Sequence, residues 1–163
     1  MIFVTVGTEQ FPFNRLMHWI EVLLESNLID EEIIVQYGNC TVLPTGAKVY
    51  RFVKEDMFRS LINQARLVIS HCGEGTLLLL DSLDKPYILV SRSQKFKEHV
   101  DDHQIELAMA MEQMNIPVAW CPGDLIRFIY NPRQVSISDV TFQSAIALCQ
   151  SLEQRFGSIE SLS

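Results

Sequence analysis

Along this chain, short unbroken runs of apolar, often β-branched residues alternate with longer segments whose apolar residues recur at helical spacing. The runs lie at residues 2–6 (IFVTV), 33–38 (IIVQYG), 47–53 (AKVYRFV), 67–70 (LVIS), 86–90 (PYILV) and 118–120 (VAW). A strand with one wet face alternates apolar and polar residues, whereas a strand covered on both faces reads as a continuous apolar run. The segments between them carry stripes. Leu16, Trp19, Ile20, Leu23 and Leu24 follow Pro12, and Met57, Phe58, Leu61 and Ile62 mark a helix over 55–64. Further helices are predicted over 77–83, 100–114, 122–129 and 139–156. This alternation predicts an α/β fold, an open, doubly wound, mostly parallel sheet with helices on both faces. Length sets the rest of the frame: 163 residues, 48% of them apolar, suit one domain over 1–156 with a frayed tail at 157–163.

Charge and cysteine usage narrow the function classes. Thirteen Lys and Arg against 20 Asp and Glu give a formal charge of −7, which argues against a chain built to wrap nucleic acid or coat an anionic membrane. No stretch approaches the roughly 20 apolar residues of a membrane span, and the first apolar run lacks a basic region before it, so neither an anchor nor a signal peptide is expected. Cys40, Cys72, Cys121 and Cys149 form no C-x-x-C pair, which fits reduced thiols in a cytoplasmic protein.

In a doubly wound sheet, ligands bind beyond the carboxyl ends of the strands, so the loops there are the places to look for chemistry. The segment 70–76, SHCGEGT, joins a buried strand to a helix. Its glycines allow a tight turn and close backbone approach, and the free N–H groups of the helix start favour an anion such as a phosphate. The same glycines equally suit a plain tight turn. Neither G-x-x-x-x-G-K-[ST] nor G-x-G-x-x-G is present, Leu78 replacing the third glycine of the latter. After the fifth run, Arg92, Ser93, Gln94, Lys95, Lys97, Glu98, His99, Asp101, Asp102, His103 and Gln104 concentrate hydrogen-bonding groups suited to a hydroxyl-rich ligand, with Arg92, Lys95 and Lys97 near any phosphate. A solvated helix start would look similar. His99 and His103 have i, i+4 spacing, but Val100 stands where a metalloprotease helix needs Glu, and no metal site is expected. A hydrolase built on Ser, His and Asp is supported still less, because no G-x-S-x-G elbow occurs. The first loop, 7–15, carries Gly7, Thr8 and Glu9, with Phe11 and Phe13 forming either a partner-facing patch or part of the core.

Taken together, 3–8 (FVTVGT), 68–76 (VISHCGEGT), Lys85-Pro86 and 95–108 (KFKEHVDDHQIELA) resemble the single-domain glycosyltransferase family 28 C-terminal type, in order and with compatible spacing from residue 1 to about 125. This family includes subunits of two-part transferases and of bacterial exopolysaccharide and capsule glycosyltransferases. The resemblance implies the Rossmann-like, donor-binding half of a GT-B enzyme. Such a subunit moves a hexose-type sugar from a UDP-sugar to a lipid-linked or polysaccharide acceptor, with inversion, without a metal, and with no cofactor besides the UDP-sugar substrate. It implies as partner a membrane-associated acceptor-binding subunit that recruits this cytoplasmic chain to the membrane face; separately, if the apolar first loop and the helix at 139–156 form an interface, the lone chain self-associates into a homo-oligomer.

Carried over by position, His71, Gly73, Gly75 and Thr76 would meet the diphosphate, with Arg92 nearby. Asp102 and Gln104 would hold sugar hydroxyls, Gly7 and Thr8 would line the cleft, and backbone at Phe52 and Val53 would lie against the uracil. The general base is open among Glu9, His71, His99 and the partner. Two positions depart from the family pattern: Leu79 stands where many two-domain relatives have a ribose-binding Glu, and Ser91 where bacterial members commonly have Pro. The alternative reading is a noncatalytic nucleotide-sugar-binding or regulatory subunit.

Overall fold

All but the last of the apolar runs become strands of one sheet. The computed structural model describes residues 1–133. Its elements are β1 (Ile2–Thr5), α1 (Asn14–Glu25), β2 (Ile33–Gln36), β3 (Lys48–Tyr50), α2 (Glu55–Gln64), β4 (Leu67–His71), α3 (Glu74–Ser82), β5 (Tyr87–Val90), a 3₁₀ turn (Gln94–Phe96), α4 (His103–Gln113) and α5 (Pro122–Tyr130). The sheet is parallel throughout, in the order β3-β2-β1-β4-β5.

Pleating divides the apolar runs between two cores. Phe3, Ile34, Val68 and Leu89 face Leu61 and Ile62 of α2, Leu77 and Leu80 of α3, and Leu107 and Met111 of α4. Ile2, Val4, Ile33, Val35, Ile69 and Ile88 face Leu16, Met17, Ile20 and Leu23 of α1, with Leu125, Phe128 and Ile129 of α5. Each fully buried side chain of this kind contributes roughly 1.5–3 kcal/mol. Two-sided burial is why β1, β2, β4 and β5 carry no polar alternation, whereas β3, at the sheet edge, leaves Lys48 exposed and Val49 and Tyr50 half-buried.

Several boundaries differ from the sequence expectation, each for a local reason. The run at 118–120 makes a single parallel bridge, Val118 to Leu89, not a sixth strand. Pro117 has no N–H to extend the ladder, and the Trp120 amide turns away to donate to Asp124 Oδ2 at 3.0 Å. Helix α4 starts at His103, not at residue 100, because the chain first passes through Lys97 in the left-handed conformation and leaves Val100 exposed. His99 therefore lies before the helix, and the shared helix face expected of His99 and His103 does not form. Met57 of α2 is exposed, not inward. Of the two first-loop rings, Phe13 is fully buried and Phe11 is partly covered.

Cys40, Cys72 and Cys121 are thiols outside any disulfide among the described residues. The helix expected at 139–156, the tail at 157–163 and Cys149 lie outside the described residues. Among the described residues, no helix is long and apolar enough to cross a membrane.

Candidate functional site

Strand order places the site. From β1 the chain winds outward to β2 and β3, then returns to lay β4 against the other side of β1 and continues to β5. The loops after β1 and β4 consequently leave their neighbouring strands in opposite directions and open a crevice, the switch point at which doubly wound sheets bind ligands. A cleft of about 450 Å³ lies there. Its walls come from Gly7, Thr8 and Glu9 after β1, Gln36 at the end of β2, Val53, Glu55 and Phe58 around the start of α2, and His71 with Gly73, Glu74, Gly75 and Thr76 at the start of α3.

His71 is the centre of this arrangement. Its ring is 5% exposed and is clasped between two glycines. A Cβ on Gly7 would fall 2.3 Å from His71 Nε2, and one on Gly73 would fall 2.3 Å from His71 Cε1, so both positions must lack a side chain for the ring to occupy this slot. Gly7 has in addition φ +74°, a conformation that glycine adopts without strain. Gly75 has open space around its Cα, so its lack of a side chain leaves room at the helix start rather than relieving a clash.

The hydrogen bonds around His71 fix its tautomer. The Arg92 amide can only donate, and Gln104 Oε1 accepts from it at 3.2 Å. The other end of that carboxamide, the Nε2 amide, therefore faces His71 Nδ1 at 3.3 Å and donates to it. With Nδ1 accepting, the ring proton sits on Nε2, 3.4 Å from Thr76 Oγ1. Burial, with smaller contributions from the nearby Arg92 and His99 charges and an opposing one from Gln104, lowers the His71 pKa to about 3. His71 is thus a neutral hydrogen-bond donor at neutral pH. Of the three candidates for a general base, it is the one without a free lone pair.

Helix α3 supplies the other donors. Its N-cap, Gly73, offers no side-chain cap, and the first turn of any helix leaves N–H groups without intrahelical partners. Those amides, the His71 Nε2–H and the Thr76 hydroxyl converge at one end of the cleft, a set suited to the oxygens of a phosphate or diphosphate. Val53 and Phe58 give the far side an apolar wall.

The loop between β5 and α4 is arranged differently from the sequence expectation. Arg92, expected beside a phosphate, is fully buried; its guanidinium donates to the carbonyls of Val6 (2.6 Å), Phe11 (2.8 Å) and Glu98 (3.0 Å), and lies over the Phe13 ring. Its desolvation cost is offset because three carbonyls and an aromatic face take the place of water. Glu98, also buried, accepts a two-pronged ion pair from Arg15 and a bond from the Ser93 amide. Gln104, expected on sugar hydroxyls, is buried with both ends of its amide engaged.

Asp102 is exposed, and its Oδ1 accepts from the Gln94 amide and Ser93 Oγ. Lys95 and Lys97 are exposed, and among the described residues no Lys or Arg lines the cleft. Phe52 is half exposed and outside the lining, whereas its neighbour Val53 is part of it. Glu9 lines the cleft, with His99 Nε2 3.9 Å from its carboxylate and His99 Nδ1 2.9 Å from Asp101.

Sequence reasoning missed Gln36, Glu55, Phe58 and Glu74 as cleft residues. Gln36 had a legible signal: it is a polar residue closing an apolar run at a strand's carboxyl end. Glu55 and Phe58 had none, since only the crossing of α2 over the sheet brings them there. Among the described residues no group of three or more His, Cys, Asp or Glu is placed to hold a metal ion.

A parallel doubly wound sheet with a crevice at its switch point, lined by helix-start amides and a glycine-clasped neutral histidine, defines a Rossmann-like α/β domain. The glycosyltransferase family 28 C-terminal domain matches residues 1–137, and the chain belongs to that family. Two curated relatives are similar to it, both named UDP-N-acetylglucosamine transferase subunit ALG13. The mouse protein is 31% identical over 120 residues, covering 68% of this chain and 10% of its own length. The human protein is 30% identical over 139 residues, covering 75% of this chain and 12% of its own length. The chain thus spans about a tenth of these relatives. An NMR solution structure of ALG13 has the same fold, with TM-score 0.51 at 20% identity, covering 79% of this chain and 83% of that one.

Proposed function

We propose that the cleft binds a UDP-sugar and that the chain is the donor-binding, catalytic subunit of a two-component glycosyltransferase. The observation that carries this reading is the His71 ring clasped by Gly7 and Gly73 at the uncapped start of α3. In this pose the diphosphate lies on the α3 amides, His71 Nε2–H and Thr76, the uracil lies toward Val53 and Phe58, and the sugar lies toward the β1 loop and Asp102. A hexose such as N-acetylglucosamine fits the names of the relatives.

In the proposed reaction an acceptor hydroxyl attacks the anomeric carbon from the face opposite the diphosphate. The new C–O bond forms as the bond to the β-phosphate oxygen breaks, the electron pair leaves on UDP, and the configuration inverts. Charge grows on the diphosphate, where fixed donors act without reorganisation. His71 stays neutral across the physiological range, so its donation does not depend on pH there. The Arg92 charge, close enough to His71 to depress its pKa, adds positive potential from behind the ring. The acceptor's proton needs a base, and Glu9 is the carboxylate this chain offers in the cleft beside the β1 loop. In this reading a separate membrane-associated subunit supplies the acceptor side, in keeping with the relatives' names as transferase subunits.

Calorimetric titration with UDP, and with ADP, GDP and NAD as controls, tests the donor site. Saturable binding of UDP in preference to the others, weakened at least tenfold in Gly73→Ala, is the expected result; equal binding of all four, or of none, would sink the reading. Sugar transfer by the chain co-expressed with its partner, and its loss in Thr76→Ala, tests the catalytic assignment against a noncatalytic subunit.

A further inference from the structure

Gln36 ends β2 with an unusual combination of properties. The residue is 3% exposed and forms part of the cleft wall, yet its Oε1 is buried with no hydrogen-bond partner. Its backbone is fully used: the carbonyl accepts from the Val6 amide, and the residue sits in register with Thr5 of β1 and Tyr50 of β3. Alternation along β2 sends Ile34 to one core and Val35 to the other, so Gln36 turns to the side covered by α2 and α3, where the cleft opens. Leaving a buried amide oxygen unpaired costs stability, and a Met of similar size would remove that cost. Arg92 Nε and the Tyr87 hydroxyl are also buried without a hydrogen-bond partner, but Gln36 differs from them in lining the cleft, where a turn of its carboxamide brings Oε1 to a ligand hydroxyl.

The strand order says which part of a ligand it meets. The anion-binding donors belong to the β4–α3 loop, and the apolar wall of Val53 and Phe58 follows β3. β2 lies between, next to β3 and two strands from β4, each step about 4.8 Å. A nucleoside diphosphate laid from one to the other carries its ribose over the end of β2. Helix α3 offers nothing polar at that level, since Thr76 is followed by Leu77, Leu78, Leu79 and Leu80. Glu55 also lines the cleft, but its side chain is largely in water and paired with Arg59.

We infer that Gln36 is a donor-binding residue that accepts a hydrogen bond from a ribose hydroxyl of the nucleotide and so selects ribonucleotides over deoxyribonucleotides. The inference rests on the UDP-sugar reading of the cleft. Its test is titration of the full chain and of Gln36→Met and Gln36→Leu with UDP, 2′-deoxy-UDP and 3′-deoxy-UDP, together with thermal unfolding of each protein without nucleotide.

The wild type is expected to bind UDP about tenfold to a hundredfold more tightly than one of the deoxy analogues. Both variants are expected to bind UDP as weakly as the wild type binds that analogue, to bind the analogue itself unchanged, and to melt at or above the wild-type temperature. Equal wild-type affinity for UDP and both analogues overturns the inference, as does a preference that survives in the variants, or one lost in Glu55→Gln instead. A melting temperature lowered by several degrees in both variants also overturns it, because it marks Gln36 as a structural partner. In all of these outcomes UDP still binds and the donor-site reading stands. Failure of the wild type to bind UDP removes that reading and this inference with it.

Discussion

The loops after β4 and β5 follow adjacent buried strands and are similarly rich in polar residues, yet they use them in opposite ways. After β4, His71, Thr76 and the α3 amides present hydrogen-bonding capacity to a cleft. After β5, Arg92, Ser93, Glu98 and Gln104 bond mostly to one another and to the neighbouring backbone, with Arg92 Nε the one of these groups left buried without a hydrogen-bond partner. Polar density at a strand's carboxyl end therefore does not identify a ligand site; the partners of each group do. The two loops are also coupled, because Gln104 of the second sets the tautomer of His71 in the first.

Arg92→Met tests the closed character of the second loop most severely. It strands three carbonyls around an apolar tip and should cost about 3–5 kcal/mol, read from the denaturant midpoint. A loss under about 1 kcal/mol would mean that this loop does not depend on its arginine.

Next in size is the pH dependence that His71 imposes. Its folded pKa of about 3 lies below the ordinary 6.5, so both states are neutral above 6.5 and the folded protein keeps its full stability there. As pH falls below 6.5 the unfolded chain takes up the proton first, and stability drops by up to about 1.4 kcal/mol per pH unit until the folded pKa is reached. Melts of wild type and His71→Asn between pH 7 and pH 4 should converge as acid is added. Parallel curves would show that His71 is solvated.

The glycine clasp gives a smaller effect with an internal control. Gly73→Ala must displace the His71 ring and should cost about 1–3 kcal/mol, whereas Gly75→Ala, with open space, should change stability by less than about 0.5 kcal/mol. Similar losses in both would break the picture of a ring held between Gly7 and Gly73. Smallest is Asp102→Asn, which weakens one part-buried and one exposed hydrogen bond and should shift stability by about 0.5–1 kcal/mol. A larger loss would extend the closed network of the second loop to this residue.

Much of the fold was legible because its signals are local. Unbroken apolar runs mark strands covered on both faces, and 55–64 is helical over the span its stripe indicates. Close backbone approach was legible at Gly73, although the approaching group is the protein's own histidine, while nothing approaches Gly75 and the same ring also meets Gly7. The sixth strand failed because the run at 118–120 looks like the others, while its pairing depends on Pro117 and on where Trp120 can donate.

Residue order alone carries the alternation of strand and helix, the doubly wound class, the family resemblance and the glycine-rich turn at 70–76 as a place to look for a ligand. Tertiary structure decided which polar groups face a ligand. Arg92 and the carbonyls it bridges at Val6 and Phe11 are 86 and 81 residues apart in the chain, and Gln104 reaches His71 across 33. Periodicity reports which face of an element is covered, and it does so within a few residues. Whether a buried hydrogen-bonding group is satisfied depends on partners that only the folded chain brings together, which is why the closed network around Arg92 and the unpaired Gln36 oxygen are visible only in the structure.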